Sequence, residues 1–323
     1  MIITRTPLRI SFFGGGTDLP DFYRKDYGAV LGIGINRHVY VLVNERFEST
    51  VRASYSQTEI VESSDKVRHN LIREGLLHFG IRDKIEVVTV ADIPSTGTGL
   101  GSSSSTLVGL LNALSSYVNN PLEKDELAEI SSDIEINKMS QPIGKQDQYF
   151  AAFGGVSYFR FNEDDTVSRE KIQVSKNTVA ELEENLICFY TGIGRDSSKI
   201  LSKQSADMES KRSVMMEMRD QAEEGKEVIR HGDLVKFGQM LNHGWNLKKQ
   251  LAKGITNNTI DAYYQKGLEA GALGGKLSGA GGGGFITFYC EKEHQKTLRG
   301  ALAELTEMKI KVDRFGSMII AIF

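Results

Sequence analysis

The sequence predicts an α+β protein built from two domains. In the first half, up to about residue 175, strand-like apolar runs alternate with segments of helical periodicity. In the second half, helical segments are followed by a β-α-β pattern over 285–314 and a last strand at 317–322, which suits an α+β sandwich. No Pro-rich or Ser-rich linker separates the halves. The change in the order of predicted strands and helices therefore places the boundary, and it predicts domains 1–175 and 176–323.

The composition is that of an ordinary soluble protein and argues against several functional classes. Of 323 residues, 40% are hydrophobic and 25% are charged. The formal net charge is −3 and no long run of one sign occurs, which argues against a nucleic-acid binder. No apolar run is long enough for a membrane span and the N-terminus lacks a signal-peptide layout, so we expect a cytoplasmic protein with no membrane partner. The two cysteines lie in apolar runs and are expected to be buried thiols.

Hydrophobic periodicity and turn residues place the individual elements. The polar triplet at 36–38 interrupts one long apolar run and predicts two paired strands around it. The predicted strands are 4–13, 29–35, 39–45, 52–56, 85–90, 156–161, 186–191, 285–290, 309–314 and 317–322. The predicted helices are 65–79, 106–118, 123–139, a short helix near residue 148, 199–229, 234–253, 256–269 and 292–306.

A stretch rich in glycine and serine, 94–105, lies between a predicted strand and a predicted helix. Its glycines permit a tight turn and a close approach of the backbone to a ligand. The helix that follows offers free N–H groups and the positive end of its dipole, so the stretch is a candidate phosphate site. The alternative is a flexible turn with a serine N-cap. Ser102 stands where the Walker A pattern needs Lys and where the dinucleotide fingerprint needs Gly, so both common patterns fail.

A second glycine-rich stretch, 14–18, directly follows the first predicted strand. Its three glycines allow a close backbone approach, and Thr17 and Asp18 then place two short polar side chains. The alternative role for Asp18 is to cap the helical segment 19–26. On the strand itself, Arg9 alternates with apolar neighbours, which is unusual for a buried position unless the arginine meets an anion.

A third glycine-rich stretch, 276–284, lies near the C-terminus. Together the stretches 7–18, 94–105 and 276–284 resemble, in order and placement, the three motifs of the GHMP kinases, the family of galactokinase, homoserine kinase, mevalonate kinase and phosphomevalonate kinase. Three motifs in order over nearly the whole chain are far more specific than one. The resemblance implies the GHMP kinase fold, with an N-terminal domain like ribosomal protein S5, a ferredoxin-like C-terminal domain and a site between them.

Five stretches resemble one branch of this family, whose members act on heptose phosphates. They are Gly-Gly-Gly-Thr-Asp-Leu-Pro, Arg-Ala-Ser-Tyr-Ser, Ala-Asp-Ile-Pro, Gly-Leu-Gly-Ser-Ser-Ser-Ser and Ile-Gly-Lys-Gln-Asp-Gln-Tyr. The resemblance implies transfer of the γ-phosphoryl group of ATP to the anomeric hydroxyl of a heptose 7-phosphate, on the route to GDP-heptose and surface polysaccharide. Galactokinase has Glu-His where this chain has Gly15-Gly16, which argues against galactose as the substrate.

The resemblance also implies a role for each candidate residue. Asp147 would be the base for the anomeric hydroxyl, with Arg9 against both; the alternative for Asp147 is an N-cap. Ser103 and Glu135 would ligate Mg²⁺. The implied ATP-binding residues are Pro94, Gly97, Thr98, Gly99, Leu100, Gly101, Ser102, Ser103 and Ser104. The implied substrate-binding residues are Gly15, Gly16, Thr17, Asp18, Lys145, Arg195, Ser278, Gly279, Ala280 and Gly281.

The distal phosphate of a sugar phosphate needs a cation of its own, since it brings a charge of about −1.5 to −2. Arg195 is the first candidate, because the arginine fork matches phosphate oxygens, and Lys145 is the second. A solvated loop arginine paired with Asp196 is the alternative to the first.

Three alternatives remain open beside a heptose-phosphate kinase. The chain would be an L-fucokinase-like or other anomeric sugar kinase, a non-catalytic sugar sensor, or a decarboxylase of a phosphorylated isoprenoid acid. The presence of Ser103, Glu135, Asp147 and Arg9 favours an enzyme over a sensor, and the Thr17-Asp18 ending argues against a decarboxylase. ATP and a sugar phosphate are the implied small-molecule partners, and a homodimer stays open.

Overall fold

The computed structural model describes residues 1–94, 97–194, 200 and 209–323. These residues form two sheets with helices packed on them, which confirms the predicted α+β class. The strands are β1 (Ile2–Phe13), β2 (Gly28–Glu45), β3 (Val51–Ser54), β4 (Thr58–Val61), β5 (Ile85–Ala91), β6 (Val156–Phe161), β7 (Val167–Lys171), β8 (Leu186–Tyr190), β9 (Gly274–Leu277), β10 (Phe285–Tyr289), β11 (Thr306–Met308) and β12 (Met318–Ile322). The helices are α1 (Pro20–Tyr23), α2 (Asn70–His78), α3 (Ser102–Tyr117), α4 (Lys124–Asp133), α5 (Gln146–Phe153), α6 (Lys176–Asn185), α7 (Arg212–His231), α8 (Leu234–Lys248), α9 (Asn258–Glu269) and α10 (Gln295–Ala301).

The larger sheet has eight strands and carries the first two glycine-rich stretches. Its strand order is β12-β1-β2-β5-β3-β4, and β6 pairs with both β2 and β7. All of its pairs are antiparallel except the pair of β3 and β5. Helix α3 packs on β1 and β2. Leu107, Val108 and Leu111 of α3 are fully buried with Phe150 of α5, so the apolar faces of the two helices share one core.

The two strands predicted at 29–35 and 39–45 are in fact one continuous strand, β2, so that prediction was wrong. The polar triplet between them forms a β-bulge rather than a turn, because β1 pairs Pro7 with His38 but Leu8 with Ile35. The bulge is held from outside the sheet, where the amide of Asn36 donates to the carbonyl of Lys311 at 2.9 Å.

The smaller sheet has four antiparallel strands in the order β11-β8-β10-β9. Helix α8 packs on β9, and its Trp245 is buried with Phe189 of β8 and Phe288 of β10. Strands β8–β10 and helices α8–α10 contribute buried side chains to one hydrophobic core. Among the described residues, no helix is both long enough and apolar enough to cross a membrane.

The last strand, β12, lies in the larger sheet although it falls within the predicted second domain, 176–323. Ile322 of β12 pairs with Ile2 of β1, so the chain returns to the sheet where it began. A sequence pattern identifies a strand but does not say which sheet edge it joins. The two halves of the fold are therefore interleaved at this edge.

Several helix boundaries differ from those predicted. Helix α2 begins at Asn70 rather than 65, after a separate 3₁₀ turn at Ser64–Lys66. Helix α10 covers only Gln295–Ala301 of the predicted 292–306. The predicted helix 199–229 is described from Arg212, after a 3₁₀ turn at Glu209–Lys211; residues 195–199 and 201–208 lie outside the described residues.

Candidate active site

The glycine and serine loop turns into α3 through three glycines in the left-handed region. Gly97, Gly99 and Gly101 have φ angles of 72°, 76° and 78°, which explains why glycine recurs at every second position. Gly101 is the N-cap of α3 and no side chain caps the helix, so the predicted alternative of a serine N-cap is wrong. The first helical hydrogen bond runs from the Ser105 amide to the Gly101 carbonyl, so the N–H groups of Ser102, Ser103 and Ser104 precede it and can bind an anion.

Arg9 and Asp147 form an ion pair beside this helix end. The Nε and Nη2 atoms of Arg9 lie 2.8 and 2.7 Å from Oδ1 of Asp147. Nη1 of Arg9 also donates to the carbonyl of Gly99 at 2.7 Å, so one buried guanidinium holds both the loop and the carboxylate. Asp147 lies in the first turn of α5, whose N-cap is Lys145, so the predicted alternative of Asp147 as an N-cap is wrong.

The Asp147 carboxylate directly faces the start of α3. A Cβ atom placed on Gly101 would lie 3.3 Å from both Cγ and Oδ2 of Asp147. The absence of a side chain at Gly101 therefore lets the carboxylate approach the helix end. About a quarter of the Asp147 side chain remains exposed, which leaves it accessible to a substrate.

Glu135 lies on the other side of the α3 start, in a π-turn (Ile134–Lys138) that continues α4. Such turns recur at functional sites. Oε1 of Glu135 accepts a hydrogen bond from Ser103 Oγ at 3.2 Å, and Oε2 accepts one from Gln148 Nε2 at 2.6 Å. Burial raises the pKa of Glu135 to about 7, against hydrogen bonds from Ser104, Gln148 and Ser103 that lower it.

The pair of Ser103 and Glu135 fits a Mg²⁺ ion completed by nucleotide phosphates. Glu135 is fully buried, and its described hydrogen-bond donors are uncharged, so a bound cation would compensate its charge. Mg²⁺ prefers few protein oxygens together with phosphates and waters. In the described ranges, no group of three or more His, Cys, Asp or Glu side chains could hold a metal ion by itself.

The stretch at 14–18 forms a tight loop in which the polar side chains are used internally. Thr17 is fully buried, and its hydroxyl lies 2.8 Å from the Gly14 carbonyl and 2.9 Å from the carbonyl and amide of Ala29. This geometry favours a structural role for Thr17 over the predicted sugar contact. Asp18 is also buried, and burial raises its pKa. It does not cap α1, whose N-cap is Leu19.

The third glycine-rich stretch reaches the loop before α3 from the smaller sheet. The amide of Phe285, just after this stretch, donates to the Thr98 carbonyl at 3.3 Å. Gly279 and Gly281 have φ angles of 69° and 102°, so the chain turns sharply there, next to Ala280 and Ser278. The Lys248 ammonium donates to the Gly279 carbonyl. The Phe285 contact joins the third glycine-rich stretch to the loop before α3, and Arg9 joins that loop to β1, which leads into the 14–18 stretch.

Of the two predicted cations for a distal phosphate, the structure describes only Lys145, whose ammonium is engaged by other groups. Lys145 Nζ donates to the Asp165 carbonyl at 2.7 Å and lies 5.2 Å from the centre of the Tyr23 ring. It lines a cavity of about 180 Å³ together with Tyr23, Glu129 and Asp165. Arg195 falls outside the described residues, so its role stays a prediction.

Lys276 is a site residue to which the sequence assigned no role. Its Nζ donates to the Phe12 carbonyl at 3.0 Å and thereby joins β9 to the end of β1. Burial, with a further contribution from the positive charge of Arg9, lowers the pKa of Lys276 to about 7. A lysine inside an otherwise apolar strand was the available signal.

The low pKa of Lys276 makes a testable stability prediction. In the unfolded chain a lysine titrates near 10.4, so between pH 7 and 10 the unfolded state holds the extra proton. The free-energy cost of burying the charged lysine is fully present below pH 7 and disappears toward pH 10. The free energy of unfolding therefore rises with pH over this range, by at most about 1.4 kcal/mol per pH unit. We expect the melting temperature of the wild type to rise relative to that of Lys276→Met across this range. Parallel curves would contradict the assignment, and the exposed Lys296→Met is the control.

Two models of known protein families match this chain. The N-terminal model of the GHMP kinases matches residues 66–155, and the C-terminal model matches residues 226–306. Together the two matches cover more than half of the chain. The protein is a member of the GHMP kinase family. It is accordingly an ATP-dependent phosphotransferase, and its relatives make it a sugar kinase of that family.

Individual relatives of this kinase act on sugars. It is 29% identical over 315 residues to the D-glycero-alpha-D-manno-heptose 7-phosphate kinase of Campylobacter jejuni, with 93% of each chain covered. It is 26% identical over 337 residues to the L-fucokinase/L-fucose-1-P guanylyltransferase of Bacteroides fragilis, covering 91% of this chain and 35% of that protein. A crystal structure of a D-glycero-D-manno-heptose 1-phosphate kinase from Bacteroides thetaiotaomicron shares the fold, with a TM-score of 0.82, 24% identity and full coverage of both chains.

Proposed function

We propose that this kinase transfers the γ-phosphoryl group of ATP to the anomeric hydroxyl of D-glycero-D-manno-heptose 7-phosphate, giving the 1,7-bisphosphate. The observation that carries the reaction is the Asp147 carboxylate, held by Arg9 and facing the start of α3. The choice of sugar is supported by the relative from Campylobacter jejuni, which aligns with 93% of this chain.

The proposed step needs a nucleophile, a proton acceptor and a phosphate cradle. The anomeric oxygen attacks the γ-phosphorus and passes its proton to Asp147. The bond from the γ-phosphorus to the β,γ-bridging oxygen breaks, and ADP leaves with that oxygen. Arg9 keeps the carboxylate in place through two contacts to Oδ1, and the backbone N–H groups at the start of α3 bind the phosphate oxygens.

Ser103 and Glu135 are the proposed protein ligands of Mg²⁺. The hydroxyl and the carboxylate are 3.2 Å apart at the first turn of α3, beside the predicted phosphate site. When bound, the ion would neutralise part of the charge on the nucleotide phosphates.

The 7-phosphate gives a prediction that separates Arg195 from Lys145. We expect Arg195→Ala to weaken binding of heptose 7-phosphate and to leave ATP affinity unchanged, because the guanidinium would bind the distal phosphate. Lys145→Ala is the matched comparison, since the Lys145 ammonium is bound to the Asp165 carbonyl and should affect the sugar less. Calorimetric titration of each variant with the sugar phosphate measures the loss of affinity in both variants. A larger loss for Lys145→Ala would reverse the assignment.

An L-fucokinase activity is the second candidate, because the fucokinase of Bacteroides fragilis aligns with 91% of this chain. A panel of sugars and sugar phosphates with Mg-ATP, followed by ADP release, distinguishes the two. The proposal expects the highest kcat/KM for heptose 7-phosphate. Equal activity on unphosphorylated heptose or on fucose would overturn the proposed recognition of the 7-phosphate and favour the second candidate.

A further inference from the structure

Two glutamines flank Asp147 and share an unusual feature. Gln146 and Gln148 each donate an amide hydrogen bond to a carboxylate, Asp18 and Glu135 respectively. In each glutamine the carbonyl oxygen Oε1 is buried, yet it has no hydrogen-bond partner among the described residues. Buried polar atoms are nearly always paired, so each of these two oxygens is left to accept a hydrogen bond from a donor beyond the described residues.

The orientation of the Gln146 amide is fixed by Asp18. Nε2 of Gln146 lies 2.9 Å from Oδ1 of Asp18, and the backbone amide of Gln146 lies 3.0 Å from Oδ2. The backbone amide of Gly16 also donates to Oδ1, at 2.9 Å. Since a carboxylate only accepts, Asp18 holds the NH₂ group of Gln146 toward itself and leaves Oε1 as the free acceptor.

The same contacts leave Asp18 poorly suited to bind a sugar directly. It accepts three N–H groups and is only 1% exposed. Its carboxylate therefore acts on the neighbouring glutamine, and Asp18 is a positioning residue.

The Gln146 amide lies beside Gly15, which carries no side chain. A Cβ atom placed on Gly15 would lie 3.6 Å from Oε1 of Gln146 and 3.3 Å from Oγ of Ser11. A side chain at position 15 would therefore contact Oε1 of the residue that precedes the proposed base. Gln148, in contrast, is fully buried against Glu135 on the side assigned to the metal.

We propose that Oε1 of Gln146 accepts a hydrogen bond from a ring hydroxyl of the sugar close to its anomeric carbon. The ligand class is a polyhydroxylated sugar, because the acceptor needs an O–H donor and lies beside the residue that faces the reacting hydroxyl. Gln146 then fixes the sugar for the reaction while Asp18 fixes Gln146. This inference rests on the proposed sugar kinase activity, but not on heptose as the sugar.

Gln146→Met tests the proposal when it is combined with substrates that lack one hydroxyl each. Loss of a neutral hydrogen bond costs about 2- to 10-fold in affinity. We expect the variant to bind the full sugar about that much more weakly by calorimetry, with unchanged ATP affinity. For the wild type, one monodeoxy analogue should lose a similar factor in kcat/KM. For Gln146→Met, kcat/KM should be the same on that analogue as on the full sugar.

An equal further loss on every analogue, or wild-type sugar affinity in the variant, would overturn the proposal. Gln265→Met, on the exposed face of α9, is the control for the substitution itself.

Gly15→Ala is a second variant that keeps the contact between Gln146 and Asp18. Its methyl group would lie 3.6 Å from Oε1 and should weaken sugar binding without changing ATP affinity. Unchanged sugar binding in this variant would contradict the proposed position of the hydroxyl. The analogues are those of whichever sugar the wild type phosphorylates, so failure of the heptose assignment and failure of the Gln146 assignment give different results.

Discussion

Asp147→Asn is expected to bind ATP and sugar as the wild type does and to lose most of its turnover. The substitution keeps the shape of the side chain but removes the proton acceptor and the charge that pairs with Arg9. Loss of a general base typically lowers the rate by about 10²–10⁴-fold. Single-turnover kinetics, with nucleotide affinity measured by calorimetry, checks both halves of the prediction.

Asp164→Asn is the matched control for this substitution, because Asp164 lies exposed in the turn between β6 and β7. It should retain wild-type turnover. Turnover of Asp147→Asn within a few-fold of the wild type would exclude Asp147 as the base. Weakened ATP binding in that variant would instead indicate that the carboxylate supports the nucleotide loop.

Glu135→Gln and Ser103→Ala should each raise the Mg²⁺ concentration needed for half-maximal activity. The two side chains meet at 3.2 Å beside the first turn of α3, and both are proposed to bind the ion rather than the sugar. Loss of even an indirect metal contact typically costs about 10–100-fold in metal affinity, so we expect at least this effect. Titration of activity with Mg²⁺ at saturating ATP and sugar measures it.

Glu129→Gln is the matched control on the same helix, since Glu129 is exposed on α4. It should leave the Mg²⁺ requirement unchanged. If Glu135→Gln or Ser103→Ala changed only the KM for the sugar, the assignment of that residue to the metal would be wrong.

The elements that depend on local sequence were largely predictable. β6 has the predicted boundaries, 156–161, because alternating and aromatic residues end at turn residues on both sides. The tight turn before α3 also follows from local sequence, since its glycines permit the positive φ angles that the structure shows. The continuous strand β2 and the return of β12 to the first sheet depend on distant partners, so a periodic pattern could not reveal them.

In the site, too, contacts between residues distant in sequence could not be predicted from local pattern. The ion pair of Arg9 and Asp147 joins residues far apart in sequence, and the family resemblance was what predicted it. Gln146, Gln148 and Lys276 were missed because glutamine and lysine are usually exposed. Only the folded chain shows that Asp18, predicted to bind sugar, is already bound to Gln146.

The most direct test of the proposed reaction is the position of the phosphate in the product. The enzyme is incubated with Mg-ATP and heptose 7-phosphate labelled with carbon-13 at the anomeric carbon, and phosphorus and carbon NMR spectra are recorded. The account predicts a new phosphorus signal coupled to the anomeric carbon, with one ADP formed for each sugar consumed. A phosphate on another oxygen, or ADP release with the sugar unchanged, would contradict it.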